Sequence, residues 1–211
     1  MQDLLRSIRA KQDTRAGRPI LVALDGRSGA GKSTLAQSIQ QALGGPEQAA
    51  TIPGDDFYDA SRTDAFWDSA SPEARADLAI DWRRLRAEAL EPLLQGQPAA
   101  WRTYDYPARR PDGTFPLAPE PGRREPAPVV ILDGAYSARP ELRDLIDIAV
   151  LVDIGTDTQR QRLLARDGQA AHAWLARWAP AEDYHFTRVC PRASFHAADG
   201  GVLVGAHGRF Q

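Results

Sequence analysis

The stretch PILVALDGRSGAGKST, residues 19–34, determines the fold that we expect. Its first half is a continuous apolar run of strand length, which is typical of a strand covered on both faces. Its second half matches G-x-x-x-x-G-K-[ST] at every fixed position, from Gly26 to Ser33. A buried strand, a glycine loop and a helix in this order form the setting in which backbone amides hold phosphate.

The glycine loop predicts a nucleotide site. Glycines let amides turn toward a phosphate, and the helix that follows adds its positive end. Lys32 is expected to reach the β and γ phosphates, and the Ser33 hydroxyl to ligate Mg²⁺. Only two lysines occur in the 211 residues, so a lysine inside this loop is hard to attribute to chance. The predicted nucleotide-binding residues are Gly26, Arg27, Ser28, Gly29, Ala30, Gly31, Lys32, Ser33 and Thr34.

Helices and strands are expected to alternate after the loop. Apolar residues recur every four positions from Leu35 to Leu43, and a second helical stripe covers 72–94. Thr156 with Gln159 forms a plausible capping box for a later helix. Strands are predicted at AATIPGDDF, AAWRTYDY, VVILDG, DIAVLVD and GVLV. This order predicts an α/β sandwich with a mainly parallel sheet.

Bulk properties limit the classes of partner. The length favours one domain over 1–211, and the net charge of -2 gives no field that would attract nucleic acid or a membrane surface. A lone cysteine, Cys190, fits a reducing compartment, and the histidines lack the spacing of a zinc site. No segment has the pattern of a signal peptide or a membrane span. We therefore expect a soluble, cytoplasmic protein with a small-molecule substrate, and the sequence is compatible with a monomer or a homo-oligomer.

Two carboxylates and two aromatic residues follow the second strand in IPGDDFYDA, where parallel sheets place their ligands. One carboxylate of Asp55 and Asp56 could accept a proton from an acceptor hydroxyl, while the other helps to hold the metal. A polar turn over a packed Phe57 explains the same pattern equally well.

Further candidates lie at the ends of later elements. Asp133 ends VVILDG and could support the metal ion, although Asp-Gly is also an ordinary turn signal. Arg160, Arg162 and Arg166 could neutralise charge during phosphoryl transfer, with Arg162 and Arg166 favoured, but exposed arginines are usually only solvated. Trp174 and Trp178, four residues apart, are interpreted as core residues.

Trp101, Tyr104 and Tyr106 precede a segment that is rich in Pro, Gly and Arg, residues 107–128. Such long segments are more often functional than not. The aromatic residues could form a wall for a base or sugar, with Asp105 and Arg109 as polar anchors. They could equally be a sheet edge that packs on the preceding helix.

The ordered motifs GRSGAGKST, DDFY, YDY, VVILDGAYS and RLLARD resemble the uridine kinase and phosphoribulokinase group of P-loop kinases, over about 19–167. The resemblance implies a three-layer α/β/α sandwich with a five-stranded core and transfer of the γ-phosphate of ATP to a small molecule. It implies that Asp55 is the general base and also lies at the metal site with Ser33 and Asp133. Tyr58 and Tyr104 would line the acceptor pocket, and Arg166 would belong to a lid over about 156–180.

The sequence also departs from this group. Uridine kinases usually carry a histidine shortly after the aromatic segment, where this chain has Arg109, and the acidic motif that holds the ribose has no clear counterpart except Asp68. We therefore expect an ATP- and Mg²⁺-dependent kinase for a nucleoside or similar riboside, with Asp55, Lys32, Arg162 and Arg166 as catalytic residues and Asp56, Tyr58, Tyr104, Asp105 and Arg109 as acceptor-binding residues. Nicotinamide riboside, a sugar, a vitamin precursor or a sugar phosphate are alternative acceptors, and a regulatory ATPase is an alternative class.

Overall fold

The computed structural model describes residues 1–15 and 17–195 and the backbone of residues 202–205. Five parallel strands form its main sheet in the order β2-β5-β1-β6-β7, and a separate antiparallel pair is formed by β3 and β4. The strands are β1 (Ile20–Asp25), β2 (Ala49–Pro53), β3 (Ala99–Trp101), β4 (Gly122–Arg124), β5 (Val129–Asp133), β6 (Ile148–Asp153) and β7 (Val202–Gly205). The predicted α/β class with a parallel five-stranded core is confirmed.

Helices cover both faces of this sheet. They are α1 (Gln2–Thr14), α2 (Lys32–Leu43), α3 (Asp64–Ser69), α4 (Pro72–Leu78), α5 (Trp82–Leu85), α6 (Glu91–Leu94), α7 (Thr156–Asp167) and α8 (Ala170–Tyr184). The central strand β1 is buried over its whole length. Ile20, Val22 and Leu24 pack in one core with α1 and α2, whereas Leu21 packs in the other with α4 to α6 and α8. Since successive side chains of a strand point to opposite faces, two cores on one strand define three layers.

The helix predicted over 72–94 is interrupted in the structure. The backbone N–H of Asp59 donates to Ala79 O, and that of Asp81 donates to Phe57 O, so residues 79–81 pair with a distant segment. The Asp81 side chain then caps a new helix through Arg84 N–H at 3.0 Å. Helical periodicity does not reveal such a break because the competing partners are distant in sequence.

The strand predicted at AAWRTYDY is wrong beyond its first part. Only Ala99–Trp101 is a strand, and it pairs with Gly122–Arg124. Tyr104 makes an isolated bridge with Leu117, and Tyr106 begins a single 3₁₀ turn. Residues 102–121 therefore form a loop that turns back on itself, which places Tyr104, Tyr106 and Phe115 in one aromatic group.

Helix α7 begins differently from the prediction. Gly155 is the N-cap, Thr156 is the first helical residue, and no side-chain capping bond is formed. The Gln159 side chain reaches helix α8 instead, where its amide nitrogen donates to Glu182 at 2.8 Å. None of the helices in the described part of the chain is long and apolar enough to cross a bilayer.

Candidate active site

One cavity of 680 Å³ lies beyond the carboxyl ends of β1, β2 and β5, where parallel sheets bind ligands. Its lining includes the glycine loop, the segments after β2 and β5, the loop after β3, and helices α3, α7 and α8. The charged and hydroxyl side chains in the lining are Ser28, Lys32, Ser33, Thr34, Asp55, Asp64, Asp133, Arg162, Arg166 and Arg177. The aromatic ones are Tyr58, Trp67, Tyr104, Tyr106, Phe115, Trp174 and Trp178.

The glycine loop is shaped by three positive-φ glycines. Gly26, Gly29 and Gly31 have φ angles of 152°, 78° and 102°. A Cβ on Gly26 would lie only 2.4 Å from the carbonyl oxygen of Val152, so β6 approaches the loop too closely for any side chain. Because the first N–H groups of a helix have no intrahelical acceptor, this loop offers amides to an anion at the start of α2.

Lys32 is buried within the loop that it serves. Its Nζ donates to the carbonyl oxygens of Gly26 at 2.8 Å and Arg27 at 3.1 Å. Arg162 of α7 lies over the same loop and donates to Gly29 O at 3.2 Å and Ala30 O at 3.0 Å. Two cations therefore stand at the cavity end where a triphosphate would lie, and the loop carbonyls hold them in place.

The Arg27 side chain points away from this end of the cavity. It pairs with Asp183 at 2.6 Å and lies over the ring of Phe186. Arg27 and Gly26 therefore belong to the loop through their backbones, and neither they nor Ala30 lines the cavity. Arg166 does line the cavity, although its guanidinium pairs with Asp167 at 2.7 Å.

Asp55 and Asp133 face each other from neighbouring strand ends. The register pairs Pro53 of β2 with Asp133 of β5, and the Asp55 carboxylate lies in the turn that follows β2. A Cβ on Gly134 would lie 3.1 Å from Gly54 Cα, so two glycines allow the segments that carry these acids to approach.

The pKa of the Asp55 carboxyl is raised chiefly because burial by the surrounding protein disfavours its charged form, although the side chain faces the open cavity. Asp133 raises this pKa further, whereas Lys32 lowers it. Burial likewise raises the pKa of Asp133, and the Ser33 hydroxyl lowers it. A carboxylate whose pKa is moved toward neutrality is suited to accept a proton from a hydroxyl.

The oxygen donors fit a magnesium ion. Asp133 lies beside the Ser33 hydroxyl, and Asp55 lies close enough to both Asp133 and Lys32 for their charges to act on it. Carboxylate and hydroxyl oxygens at the edge of a phosphate site are ligands that Mg²⁺ accepts, usually together with water and nucleotide phosphates. This donor set therefore agrees with the predicted metal residues.

Tyr58 and Tyr104 line the other end of the cavity, with ring centroids 5.7 Å apart. Trp178 packs edge-on to Tyr58 at 5.9 Å. Burial raises the pKa of Tyr104 to about 12, so its hydroxyl is a neutral donor at ordinary pH. Trp174 and Trp178 pack against the core, as predicted, and also border the cavity.

Three residues predicted to bind the acceptor do not line the cavity. Asp56 points into the wall behind it, where its carboxylate accepts from the Trp101 indole at 2.8 Å. Its neighbour Asp55 faces the cavity because a 3₁₀ turn rotates successive side chains by about 120°. Asp105 lies in the loop behind Tyr104, and Arg109 is exposed and reaches the cavity only through Asp64, at 2.8 Å.

The polar group that does stand at the aromatic end was not among the sequence candidates. Asp64 of α3 pairs with Arg177 of α8 at 2.8 Å, and Arg177 also pairs with Asp68 at 2.8 Å. Burial alone would raise the pKa of Asp64, but hydrogen bonds from Arg177 and Arg109 lower it. Arg177 lies three residues after Trp174 and one before Trp178, so helical spacing from these tryptophans could have revealed it.

The fold agrees with comparisons to known proteins. A profile of the Phosphoribulokinase / Uridine kinase family matches residues 21–172. The uridine kinase of Streptococcus uberis is 32% identical over 152 residues, which is 71% of this chain and 68% of that protein. The chain belongs to the phosphoribulokinase/uridine kinase family. It is accordingly an ATP-dependent phosphotransferase that acts on a hydroxyl group of a small molecule.

Solved structures show the same fold at low sequence identity. A putative fructose transport system kinase from Silicibacter sp. TM1040 superposes with a TM-score of 0.68 at 19% identity, covering 95% of this chain and 97% of that one. A possible uridine kinase from Bacillus stearothermophilus superposes with a TM-score of 0.60 at 18% identity, covering 96% and 99%. These two neighbours support the architecture of the family member described here.

Proposed function

We propose that this protein transfers the γ-phosphate of ATP, with Mg²⁺, to a hydroxyl of a nucleoside or similar riboside. The observation that carries the proposal is that the Lys32 loop, the Asp55 carboxylate and an aromatic compartment all line the same cavity. The relatives named uridine kinase support a nucleoside acceptor, because the chain is similar to them over most of its length.

The roles of the residues follow from their positions. The loop amides and Lys32 bind and orient the phosphates, while Arg162 and Arg166 neutralise charge that develops during transfer. Asp55 takes the proton of the attacking hydroxyl, since it lies between the loop and the aromatic compartment. Mg²⁺, held by Ser33 and Asp133 and by Asp55, would supply charge neutralisation on the phosphate oxygens. Residues 1–211 would act as one kinase domain in the cytoplasm.

Charge at the aromatic end favours an uncharged acceptor over a sugar phosphate. Arg177 is already paired with both Asp64 and Asp68, and Asp55 adds a further negative charge between this end and the loop. The aromatic faces suit a flat base or the apolar face of a sugar, and Asp64 can accept hydrogen bonds from hydroxyls. An uncharged sugar is the second candidate acceptor, since the same groups would hold it.

The test is acceptor-dependent ADP release in the presence of MgATP. The panel contains ribonucleosides, deoxynucleosides, nicotinamide riboside, free sugars and sugar phosphates, and Asp55→Asn is assayed in parallel. We expect one uncharged riboside to raise turnover well above the rate without acceptor, and Asp55→Asn to remove that increase. An identical rate with every acceptor that also survives Asp55→Asn would favour a regulatory ATPase.

A further inference from the structure

The C-terminal end of helix α8 and the π-helical turn that follows it, His185–Val189, contact the glycine loop and the strand before it. The Glu182 side chain is 1% exposed, and one of its oxygens accepts from the Ser28 backbone N–H at 2.8 Å. Its second oxygen accepts from the Gln159 amide at 2.8 Å. Glu182 therefore fixes one loop amide and ties it to helix α7.

His185 makes a corresponding contact at the start of the loop. This side chain is 2% exposed, and its Nε2 lies 3.0 Å from Oδ2 of Asp25, the last residue of β1. Asp25 also accepts from the backbone N–H groups of Gly26 at 2.8 Å, Tyr136 at 2.9 Å and Ala138 at 3.0 Å. The residue before the loop is thus held by four hydrogen bonds, of which one comes from the π-helical turn that directly follows α8.

Both contacts use the helix face that also borders the cavity. Residues 174, 178, 182 and 185 follow one another at intervals of four, four and three positions, and residue 177 lies three after 174, which is the spacing of one helical face. Trp174, Arg177 and Trp178 line the aromatic compartment, and one turn later Glu182 and His185 contact the loop and the strand before it.

A purely structural contact would not require these residue types. Burying ionisable side chains costs free energy, and apolar residues of similar size often stabilise a protein equally well or better. Here Glu182 bonds to the Ser28 backbone N–H, and His185 bonds to Asp25 directly before the loop. The backbone conformation of these residues sets the direction of the amides that bind phosphate. Misplacement of binding groups by about 1 Å can cost a factor on the order of 100 in rate.

We propose that Glu182 and His185 are positioning residues that hold the glycine loop in its nucleotide-binding shape. The proposal rests on the proposed function only in taking this loop as the nucleotide site. Because Trp174, Arg177 and Trp178 of α8 border the acceptor compartment, this helix spans from that compartment to the glycine loop.

The experiment compares, at each position, a variant that removes the hydrogen-bonding group with one that retains it: an acceptor at Glu182 and a donor at His185. Glu182→Met fills the volume without an acceptor oxygen, whereas Glu182→Gln retains one for Ser28. His185→Met and His185→Gln form the second pair. Tyr184→Phe is the control, since it removes a hydroxyl on the same helix that bonds to Glu73 at 2.9 Å away from the loop. Calorimetry with Mg²⁺ and the non-hydrolysable analogue AMP-PNP gives the affinity, and thermal melting reports the fold.

We expect each Met variant to bind AMP-PNP about tenfold more weakly, which corresponds to about 1.4 kcal/mol: Glu182→Met leaves the Ser28 N–H without its acceptor, and His185→Met removes a donor from the Asp25 carboxylate. Each Gln variant should recover most of the affinity, and Tyr184→Phe should match the unmodified protein. Folded Met variants that bind within about twofold of the unmodified protein would overturn the proposal. Met variants that both fail to fold would also overturn it, because the role would then be structural.

The outcome can be separated from the fate of the proposed function. Binding of AMP-PNP is measured without an acceptor, so a protein that binds the analogue but phosphorylates nothing contradicts the kinase and leaves the positioning role intact. An unmodified protein that does not bind AMP-PNP contradicts both.

Discussion

The side chains of Asp55 and Asp133 stand at the ends of two hydrogen-bonded parallel strands, and each charge is disfavoured by its surroundings. Burial raises the pKa of both carboxyls, and the charge of Asp133 raises that of Asp55 further. The cavity therefore keeps two acids whose ionised forms the fold alone does not favour, which is typical of a site that needs them for chemistry.

Asp55→Asn should raise the melting temperature while it lowers turnover. The pKa of Asp55 is higher in the folded protein than its usual value of 3.8. Ionisation of this carboxyl therefore lowers the free energy of unfolding, and the full loss is present at every pH above the folded-state pKa. The gain from Asn should be greatest at neutral and alkaline pH, fall as the pH drops through the raised pKa, and vanish below about 3.8. Melting curves of both proteins across this range are the measurement, and a gain that grows on acidification would contradict it.

Arg162→Ala should reduce kcat about 100-fold, because it removes a cation that the loop carbonyls hold at the phosphate end. Arg160→Ala is the matched control on the same helix, since Arg160 is exposed and does not line the cavity. Steady-state kinetics with the acceptor found in the panel would compare them. Equal losses in the two variants would indicate a general effect of charge.

Arg177→Ala should raise the KM for the acceptor roughly tenfold and leave the affinity for AMP-PNP nearly unchanged. The variant removes the ion pairs that join α8 to Asp64 and Asp68 beside the aromatic compartment, whereas the loop is contacted elsewhere on α8. Arg123→Ala, which breaks an exposed pair with Glu125, serves as control. A loss confined to nucleotide binding would contradict the assignment of Arg177 to the acceptor end.

Gly26→Ala should destabilise the protein by about 1–3 kcal/mol, because the new Cβ would meet the Val152 carbonyl at 2.4 Å. Gly155→Ala is the control: its φ is -63° and no atom lies within 4 Å of an added Cβ. Urea denaturation of both variants measures the difference. A stable Gly26→Ala protein would show that β6 can move away from the loop.

The sequence predicted the features that depend on local pattern. The central strand, the glycine loop and helix α2 follow from an apolar run and a motif whose residues are neighbours in the chain. The place of Asp55 and Asp56 after a strand marked both as candidates, and the family resemblance favoured Asp55; the physical reason that only Asp55 faces the cavity is the rotation of one 3₁₀ turn. That rotation is visible only in the structure.

The features that were missed depend on contacts between distant segments. Asp64 was not a candidate from the sequence, and its importance comes from Arg177, which lies 113 residues away in the chain. Glu182 and His185 were missed for the same reason, since their partners Ser28 and Asp25 lie 154 and 160 residues away. The strand prediction at AAWRTYDY failed because a hairpin-like loop and a strand edge share alternating aromatic residues.

The loop of residues 102–121 has a consequence for how the acceptor range of such an enzyme can change. It supplies Tyr104, Tyr106 and Phe115 to the cavity but contributes nothing to the glycine loop or to helix α7. Insertions, deletions or replacements within this one stretch of the gene would therefore alter which molecule is phosphorylated while the ATP site stays intact. The acceptor range could thus change through this one segment, while α3 and α8 keep the rest of the compartment unchanged.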